Sequence, residues 1–245
     1  YVVMYLEEFP KDVKEYIEDQ SLEILEHIND KLIVIGGWGV RAHLGTGHNR
    51  YTLDVDGVAD EASLKAIRET LGKMGFAERG ADWGMAFFDK YKPRVDFPSN
   101  LAEIIAEVEL RLEPSGPRIT EKQTPHYFEF SLDEYEIKEI PYHGQEKSIK
   151  VKAPPIEDIT AQKLGLPVDY KNSHDAAMLL EKCDIDKVIQ SIRENDDWAV
   201  MVLRRMNKLK GRIQQAGQVE NTLALAAGLD IKKHIERLNH IDKAL

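Results

Sequence analysis

The hydrophobic pattern of the chain changes at Pro154-Pro155, and this change constrains the fold more than any other feature. Before it, short β-branched or alternating segments predict strands that are interleaved with helices. After it, apolar residues recur every three or four positions and predict helices alone. We therefore predict two domains, with mixed α and β structure in residues 1–153 and only helices in residues 154–245.

The spacing of apolar residues places the individual elements, but it does not give the order of the strands. Helices are predicted at 11–29, 38–45, 60–74, 100–112, 156–165, 173–183, 185–194, 197–215, 219–228 and 230–243. Strands are predicted at 32–35, 51–58, 85–89, 94–97, 127–132, 135–140 and 148–153.

Composition excludes several classes of protein. The chain has 245 residues, 42% apolar and 31% charged, which is typical of a globular protein with a sizeable core. Cys183 is the only cysteine, which excludes an internal disulfide framework and a multi-cysteine zinc site. The net charge of −10 argues against a wholly electrostatic nucleic-acid binder. With no apolar run near the ~20 residues of a membrane span and no secretory-signal pattern, we expect a cytoplasmic protein without a membrane partner.

Asp54 and Asp56 are the strongest chemical signal. They lie two apart in an alternating segment, so their carboxylates share one face of a strand. Adjacent carboxylates repel unless a cation neutralises them, and Mg²⁺ prefers such oxygen ligands. Asp96, in another predicted strand, adds a third carboxylate, and such a set can hold two cations. Taken alone, the pair also fits the solvent-facing side of an amphipathic strand.

Gly36-Gly37 separate a predicted strand from a predicted helix. This position places backbone N–H groups at a helix N-terminus, which binds phosphate without a charged side chain. An ordinary tight turn is the alternative for two glycines alone. Followed by the acidic strand, the turn indicates a site for a phosphorylated ligand and a divalent cation.

The segment GGWGVRAHLG, followed by RYTLDVD, resembles the signature of the polymerase-β-like nucleotidyltransferase superfamily. The Arg-x-Thr-x-Asp-x-Asp form is similar to that of the abortive-infection (AbiEii-like) nucleotidyltransferase toxins. Those toxins also have a Lys in a later helix and an Asp in the helix after it, which PPIEDITAQKLG and NSHDAAMLLEK supply here. The resemblance implies an α+β fold in which a mixed sheet with flanking helices precedes an all-helical domain.

The resemblance also implies roles for individual residues. Catalysis and metal binding are implied for Asp54, Asp56 and Asp96. Nucleotide binding is implied for Gly36, Gly37, Arg50, Thr52, Lys163 and Asp175. From the residues alone, Arg50 either contacts phosphate or pairs with a carboxylate. Spacing alone favours a solvated helix face for Lys163, and a surface or capping position for His48.

The implied activity is Mg²⁺-dependent transfer of a nucleoside monophosphate from a nucleoside triphosphate, such as ATP, to a hydroxyl group, with release of pyrophosphate. The acceptor is open among tRNA, a protein and a small molecule. One alternative is a sugar-nucleotide glycosyltransferase, which also uses Asp-x-Asp with a divalent cation. Another is a non-catalytic NTP-binding protein of the same fold, or one partner of a toxin–antitoxin pair with a cognate antitoxin. Residues 204–212 hold five basic residues in nine, which fits either RNA contact or a solvated helix face.

Overall fold

A computed structural model describes residues 9–81, 84–90, 105–113, 119–121, 124–216 and 228–245. Its helices are α1 (Lys11–Glu26), α2 (Gly36–Leu44), α3 (Glu61–Lys73), α4 (Ile156–Gly165), α5 (Tyr170–Leu180), α6 (Ile185–Arg193), α7 (Asp196–Ala216) and α8 (Ile231–Ala244). Its strands are β1 (Ile33–Ile35), β2 (Val55–Ala59), β3 (Ala77–Ala81), β4 (Gly84–Lys90), β5 (Ile105–Leu112), β6 (Ile119–Glu121), β7 (Thr124–His126), β8 (Glu136–Pro141) and β9 (Ser148–Ala153).

Five of the described strands form one mixed sheet in the order β1-β2-β5-β4-β3. β2 runs parallel to β5, and the other neighbouring pairs are antiparallel. β6-β7 and β8-β9 are separate two-stranded ribbons. The register aligns Asp56 of β2 with Ile35 on one side and Glu109 of β5 on the other. The acidic strand is therefore an inner strand of the sheet.

The sheet separates two apolar layers, and this separation decides where Asp56 points. Val34 of β1 packs in one cluster with Ile67 of α3. Ile35, whose side chain points the opposite way, packs in another cluster with Ile159 of α4. Asp56 shares a face with its register partner Ile35, so its carboxylate points toward the helices after Pro154-Pro155. The apolar cluster around Ile35 contains residues from both sides of Pro154-Pro155. The division of the chain into two domains at this point stays a prediction.

The helix predicted at 100–112 is wrong for its described part, because 105–112 forms strand β5. Ala106, Val108 and Leu110 are buried, whereas Glu107 and Glu109 between them are only partly buried. This alternation is the period of a strand with one face in the core. The predicted strand 94–97, including Asp96, lies outside the described residues.

The strand predicted at 127–132 is also wrong, because these residues pair with no strand in the described part of the chain. Their alternation has another cause. Phe128 and Phe130 are buried, and the Phe128 ring lies edge-on to Trp198 of α7 at 6.0 Å between centroids. The backbone N–H of Glu129 donates to the Asn195 side chain rather than to a ladder. Residues 127–132 therefore pack against the helical core through their phenylalanines without joining a sheet.

The predicted helices after the boundary are confirmed where the structure describes them, with shifts of a few residues at their ends. Asp side chains cap three of them: Asp169 accepts from Asn172 N at the start of α5, and Asp184 and Asp230 cap α6 and α8. The predicted helix 219–228 lies outside the described residues except at its last position. Within the described residues, every helix is too short or too polar to cross a bilayer.

The basic run 204–212 lies on α7 and is partly engaged within the protein. Arg205 donates to the backbone carbonyl at the end of α4, and Lys210 pairs with a carboxylate of α8. Arg204 and Lys208 are exposed one turn apart. The run therefore presents a narrower basic surface than its sequence indicates.

Candidate active site

The glycine turn brings the start of α2 against the acidic strand. Gly36 is the first residue of the helix and has φ of +62°, a conformation that favours glycine. A Cβ on Gly36 would lie 2.0 Å from Asp56 Oδ2, and a Cβ on Gly37 would lie 2.3 Å from Thr52 Oγ1. A side chain at either position would push Asp56 or Thr52 aside. Glycine at both positions therefore lets the start of α2 lie directly against these two residues.

Gly36→Ala is expected to strain the turn and push the Asp56 carboxylate aside. A non-glycine residue at this φ costs about 1–3 kcal/mol, so the thermal midpoint should fall by several degrees. Binding of Mg²⁺ with a nucleoside triphosphate should weaken in the same variant. Gly47→Ala is the matched control, because a Cβ there meets open space. Equal midpoints and affinities in the two variants would refute the role given to Gly36.

Four carboxylates line one cleft of about 210 Å³, and one of them, Asp169, is already engaged as the N-cap of α5. Asp54 immediately precedes β2, Asp56 is the second residue of that strand, and Glu109 lies on β5 beside Asp56. Burial first, and then the negative charges of Asp54 and Asp56, raise the pKa of nearby Glu107. A concentration of negative charge this close to a buried strand is the setting in which a hard divalent cation binds oxygen ligands. The donor set therefore fits Mg²⁺ or a similar cation.

Glu109 is a candidate ligand that the sequence analysis missed. Its signal was present in the alternation of residues 105–112, but those residues were assigned to a helix. The predicted third carboxylate, Asp96, lies outside the described residues, so its role stays a prediction.

Three cationic side chains, Arg50, Lys163 and Lys171, line the same cleft. Arg50 donates twice to Asp175, with Nε–Oδ1 at 2.7 Å and Nη2–Oδ2 at 2.6 Å. Lys163 of α4 lies 2.9 Å from Asp175 Oδ2 and donates to Asn172 Oδ1 at 3.3 Å. Arg50 thus pairs with a carboxylate, and Lys163, buried with only 5% of its side chain exposed, is not on a solvated helix face.

Asp175 is itself fully buried, so it acts through the two cations rather than on the surface of the cleft. Burial alone would raise the pKa of Asp175. The charge of Lys163 and hydrogen bonds from His174, His48 and Arg50 instead hold that pKa well below its usual range. The carboxylate is therefore ionised and keeps both cations at the edge of the cleft.

His48 is buried in this network and not at the surface, contrary to the prediction. Burial lowers the pKa of His48 to about 4, so the ring is neutral at pH 7. Arg41 Nε donates to His48 Nδ1 at 3.1 Å, which leaves Nε2 to donate to Asp175 Oδ1 at 3.0 Å. The ring therefore links Arg41 to Asp175 in one tautomer.

Glu18 of α1 holds the segment that carries Arg50 and Thr52. Its Oε1 accepts from Thr52 N at 2.8 Å and from Arg41 Nη2 at 3.0 Å, and Arg41 also donates to the Arg50 carbonyl at 2.8 Å. Its Oε2 lies 2.7 Å from His143 Nε2. No local sequence pattern predicts the roles of Glu18 and Arg41, because each forms hydrogen bonds with residues that only the fold brings close together.

A second cluster could be mistaken for a metal site. His48, His174 and Asp175 have ligand atoms within 4.8 Å of one another. Arg50 and Lys163, however, already bind both oxygens of Asp175. A cation there would face two buried positive charges, so the cluster fits an ion-pair network and the carboxylate cleft fits a metal.

Comparison with solved structures identifies the type of fold. The chain superposes on the MenT4 nucleotidyltransferase toxin from Mycobacterium tuberculosis with a TM-score of 0.50, at 15% identity, covering 95% of this chain and 82% of that chain. This is a nucleotidyltransferase fold. The antibiotic-resistance factor ANT(2'')-Ia is also similar, with a TM-score of 0.47 and 11% identity over 81% of this chain and 100% of that chain, too low to add to the assignment. No protein-family model and no curated protein sequence matches the chain.

The fold class predicted from the sequence is thereby confirmed. The mixed sheet, its flanking helices and the helices that follow it are those of the nucleotidyltransferase fold. The predicted site residues that the structure describes also meet in one place. Gly36, Gly37, Arg50, Thr52, Asp54, Asp56 and Lys163 line the cleft, and Asp175 lies directly behind it.

Proposed function

We propose that this chain is a nucleotidyltransferase that uses a divalent cation, most simply Mg²⁺, to move a nucleoside monophosphate from a nucleoside triphosphate to a hydroxyl group. The observation that carries this proposal is the meeting of the glycine turn with the acidic strand. It places helix N-terminal N–H groups in one cleft with Asp54, Asp56 and Glu109 and with the cations Arg50 and Lys163. The nucleotidyltransferase fold favours this reaction over the glycosyltransferase alternative.

Each residue then has a physical role. The N–H groups of Gly36 and Gly37 bind phosphate oxygens, and Arg50 and Lys163 offset the negative charge of the triphosphate. Asp54, Asp56 and Glu109 would hold the cation, which when bound supplies positive charge to the phosphate oxygens and the leaving group.

The proposed transfer is a single displacement at the α-phosphorus of the triphosphate. The acceptor oxygen forms a bond to the α-phosphorus, the bond from that phosphorus to the bridging oxygen of the β-phosphate breaks, and pyrophosphate leaves. The hydroxyl proton passes to a carboxylate, for which Glu109 and Asp96 are the candidates. The acceptor, whether tRNA, protein or small molecule, and a cognate antitoxin remain candidate partners within this proposal.

Glu109→Gln is expected to separate transfer from binding. The substitution keeps the shape but removes a charge beside the Asp-x-Asp strand, so transfer should fall about 10²-fold, as for a lost general base or ligand. Affinity for the triphosphate without added Mg²⁺ should stay within a few-fold, because the phosphate-binding groups are untouched. Single-turnover transfer and calorimetric binding measure the two effects.

Asp96→Asn is the paired variant, since it removes the other candidate carboxylate. Near wild-type transfer by Glu109→Gln beside a strong loss in Asp96→Asn would assign the third carboxylate to Asp96 and overturn the role of Glu109.

A further inference from the structure

Gln162 of α4 is a buried side chain whose polar group has no described use in the fold. The residue is only 1% exposed and lines the cleft. Among the described residues, no group accepts a hydrogen bond from its Nε2. A buried amide donor without an acceptor destabilises a protein, and native structures rarely keep one without a reason.

The packing of α4 explains why Gln162 faces the cleft. A Cβ on Gly39 of α2 would lie 3.1 Å from Ile159 Cδ1, so α4 packs closely on α2 at this residue. Positions three and four residues later on a helix share its face, which places Gln162 and Lys163 together on the side toward α2. Both line the cleft with Gly36.

The two buried cations beside Gln162 are engaged within the protein, whereas Lys171, which also lines the cleft, is exposed. Arg50 uses Nε and Nη2 on Asp175 and Nη1 on the Tyr51 carbonyl. Lys163 Nζ contacts Asp175 and Asn172. The Gln162 amide has no such commitment, although it shares the cleft with these cations and with the helix N-terminus that favours anionic oxygen.

We propose that Gln162 is a substrate-binding residue whose Nε2 donates to an oxygen of the triphosphate chain. The inference rests on the proposed function, because the acceptor that completes the amide arrives with the ligand. It makes Gln162 part of the recognition of phosphate, separate from the carboxylates that hold the cation. In the ligand-free protein the Nε2 donor lacks an acceptor and is destabilising, and binding of the triphosphate supplies that acceptor.

The test compares Gln162→Met with the wild type in the intact chain. Methionine keeps the length of the side chain and removes the donor. Binding of Mg²⁺·ATP should weaken about 10-fold, as for a lost hydrogen bond to a charged group. Binding of inorganic tripolyphosphate should weaken equally, and the thermal midpoint of the ligand-free protein should stay equal or rise. Gln162→Glu, which puts negative charge toward the phosphates, should bind more weakly than Gln162→Met.

Gln190→Met is the matched control, because Gln190 is exposed on α6 and bonds only to its neighbour Glu194 among the contacts described. It should leave affinity unchanged. Wild-type affinity in Gln162→Met would overturn the inference alone, as would a lower midpoint of the ligand-free variant, which would show an amide bonded within the core. If the wild type itself binds neither ATP nor tripolyphosphate, the proposed function fails as well.

Discussion

Asp56→Asn is expected to abolish nucleotidyl transfer in a protein that still folds. The side chain lies at the centre of the acidic cleft, next to Glu109 in register and against Gly36. Asparagine keeps its shape but removes the charge that a cation needs. Loss of several kcal/mol of charge stabilisation in the transition state corresponds to about a 10³-fold or greater loss of rate. Transfer of label and release of pyrophosphate measure it.

The thermal midpoint distinguishes a loss of catalysis from a loss of folding in this variant. Removing one of several adjacent negative charges relieves repulsion, so the thermal midpoint of Asp56→Asn should not fall. Glu69→Gln, an exposed acid on α3, is the control and should transfer label like the wild type. Transfer within a few-fold of wild type by folded Asp56→Asn would contradict the assignment of the cleft as the catalytic site.

Asp175→Asn is expected to destabilise the protein by about 3–5 kcal/mol, the usual cost of leaving buried charges without their partner. Arg50 and Lys163 are nearly buried and share this one carboxylate. For a chain of this size the thermal midpoint should fall by roughly 10 °C. Asp186→Asn, on an exposed carboxylate of α6, is the control and should change the midpoint little.

The pH dependence of this effect has a definite sign. The pKa of Asp175 in the folded protein is held well below its usual range, chiefly by Lys163 against the opposing effect of burial. Its contribution is therefore complete above the ordinary carboxyl pKa and declines as the pH falls through the folded value. The gap in stability between wild type and Asp175→Asn should stay constant from about pH 5 to 8 and narrow only in acid.

A double variant tests whether Asp175 stabilises the protein by neutralising the two cations. Adding Lys163→Met to Asp175→Asn removes one of the unpaired cations, so the double variant should be more stable than Asp175→Asn alone. A double variant that is less stable would mean that Asp175 contributes through packing or neutral hydrogen bonds, and not by neutralising the two cations.

Local sequence signals were sufficient for the glycine turn and the acidic strand. Gly36-Gly37 follow a β-branched run directly, and Asp56 has the period of the strand that bears it, although β2 begins at Val55 rather than at the predicted residue 51 and so leaves Asp54 just before the strand. Both features depend on neighbours in the chain. The same holds for α4, whose bounds were predicted correctly because Pro155 starts it and its apolar spacing continues to Gly165.

Glu109 was missed because two periods fit its segment. Ile104, Ile105 and Val108 have helical spacing, whereas Ala106, Val108 and Leu110 alternate. Pairing with β2 and β4 decides in favour of the strand, and that pairing is tertiary information. The position of Asp175 behind the cleft is likewise invisible locally, since its partner Arg50 lies 125 residues away.

The most direct test of the central claim is to incubate the purified chain with Mg²⁺, each labelled nucleoside triphosphate in turn, and total cellular RNA, protein or candidate small-molecule acceptors. We expect the wild type to release pyrophosphate in proportion to the label transferred, and Asp56→Asn to do neither. The acceptor that carries the label would identify the substrate. A wild-type chain that binds triphosphate but releases no pyrophosphate with any of these acceptors would contradict the account and support a non-catalytic NTP-binding protein of the same fold.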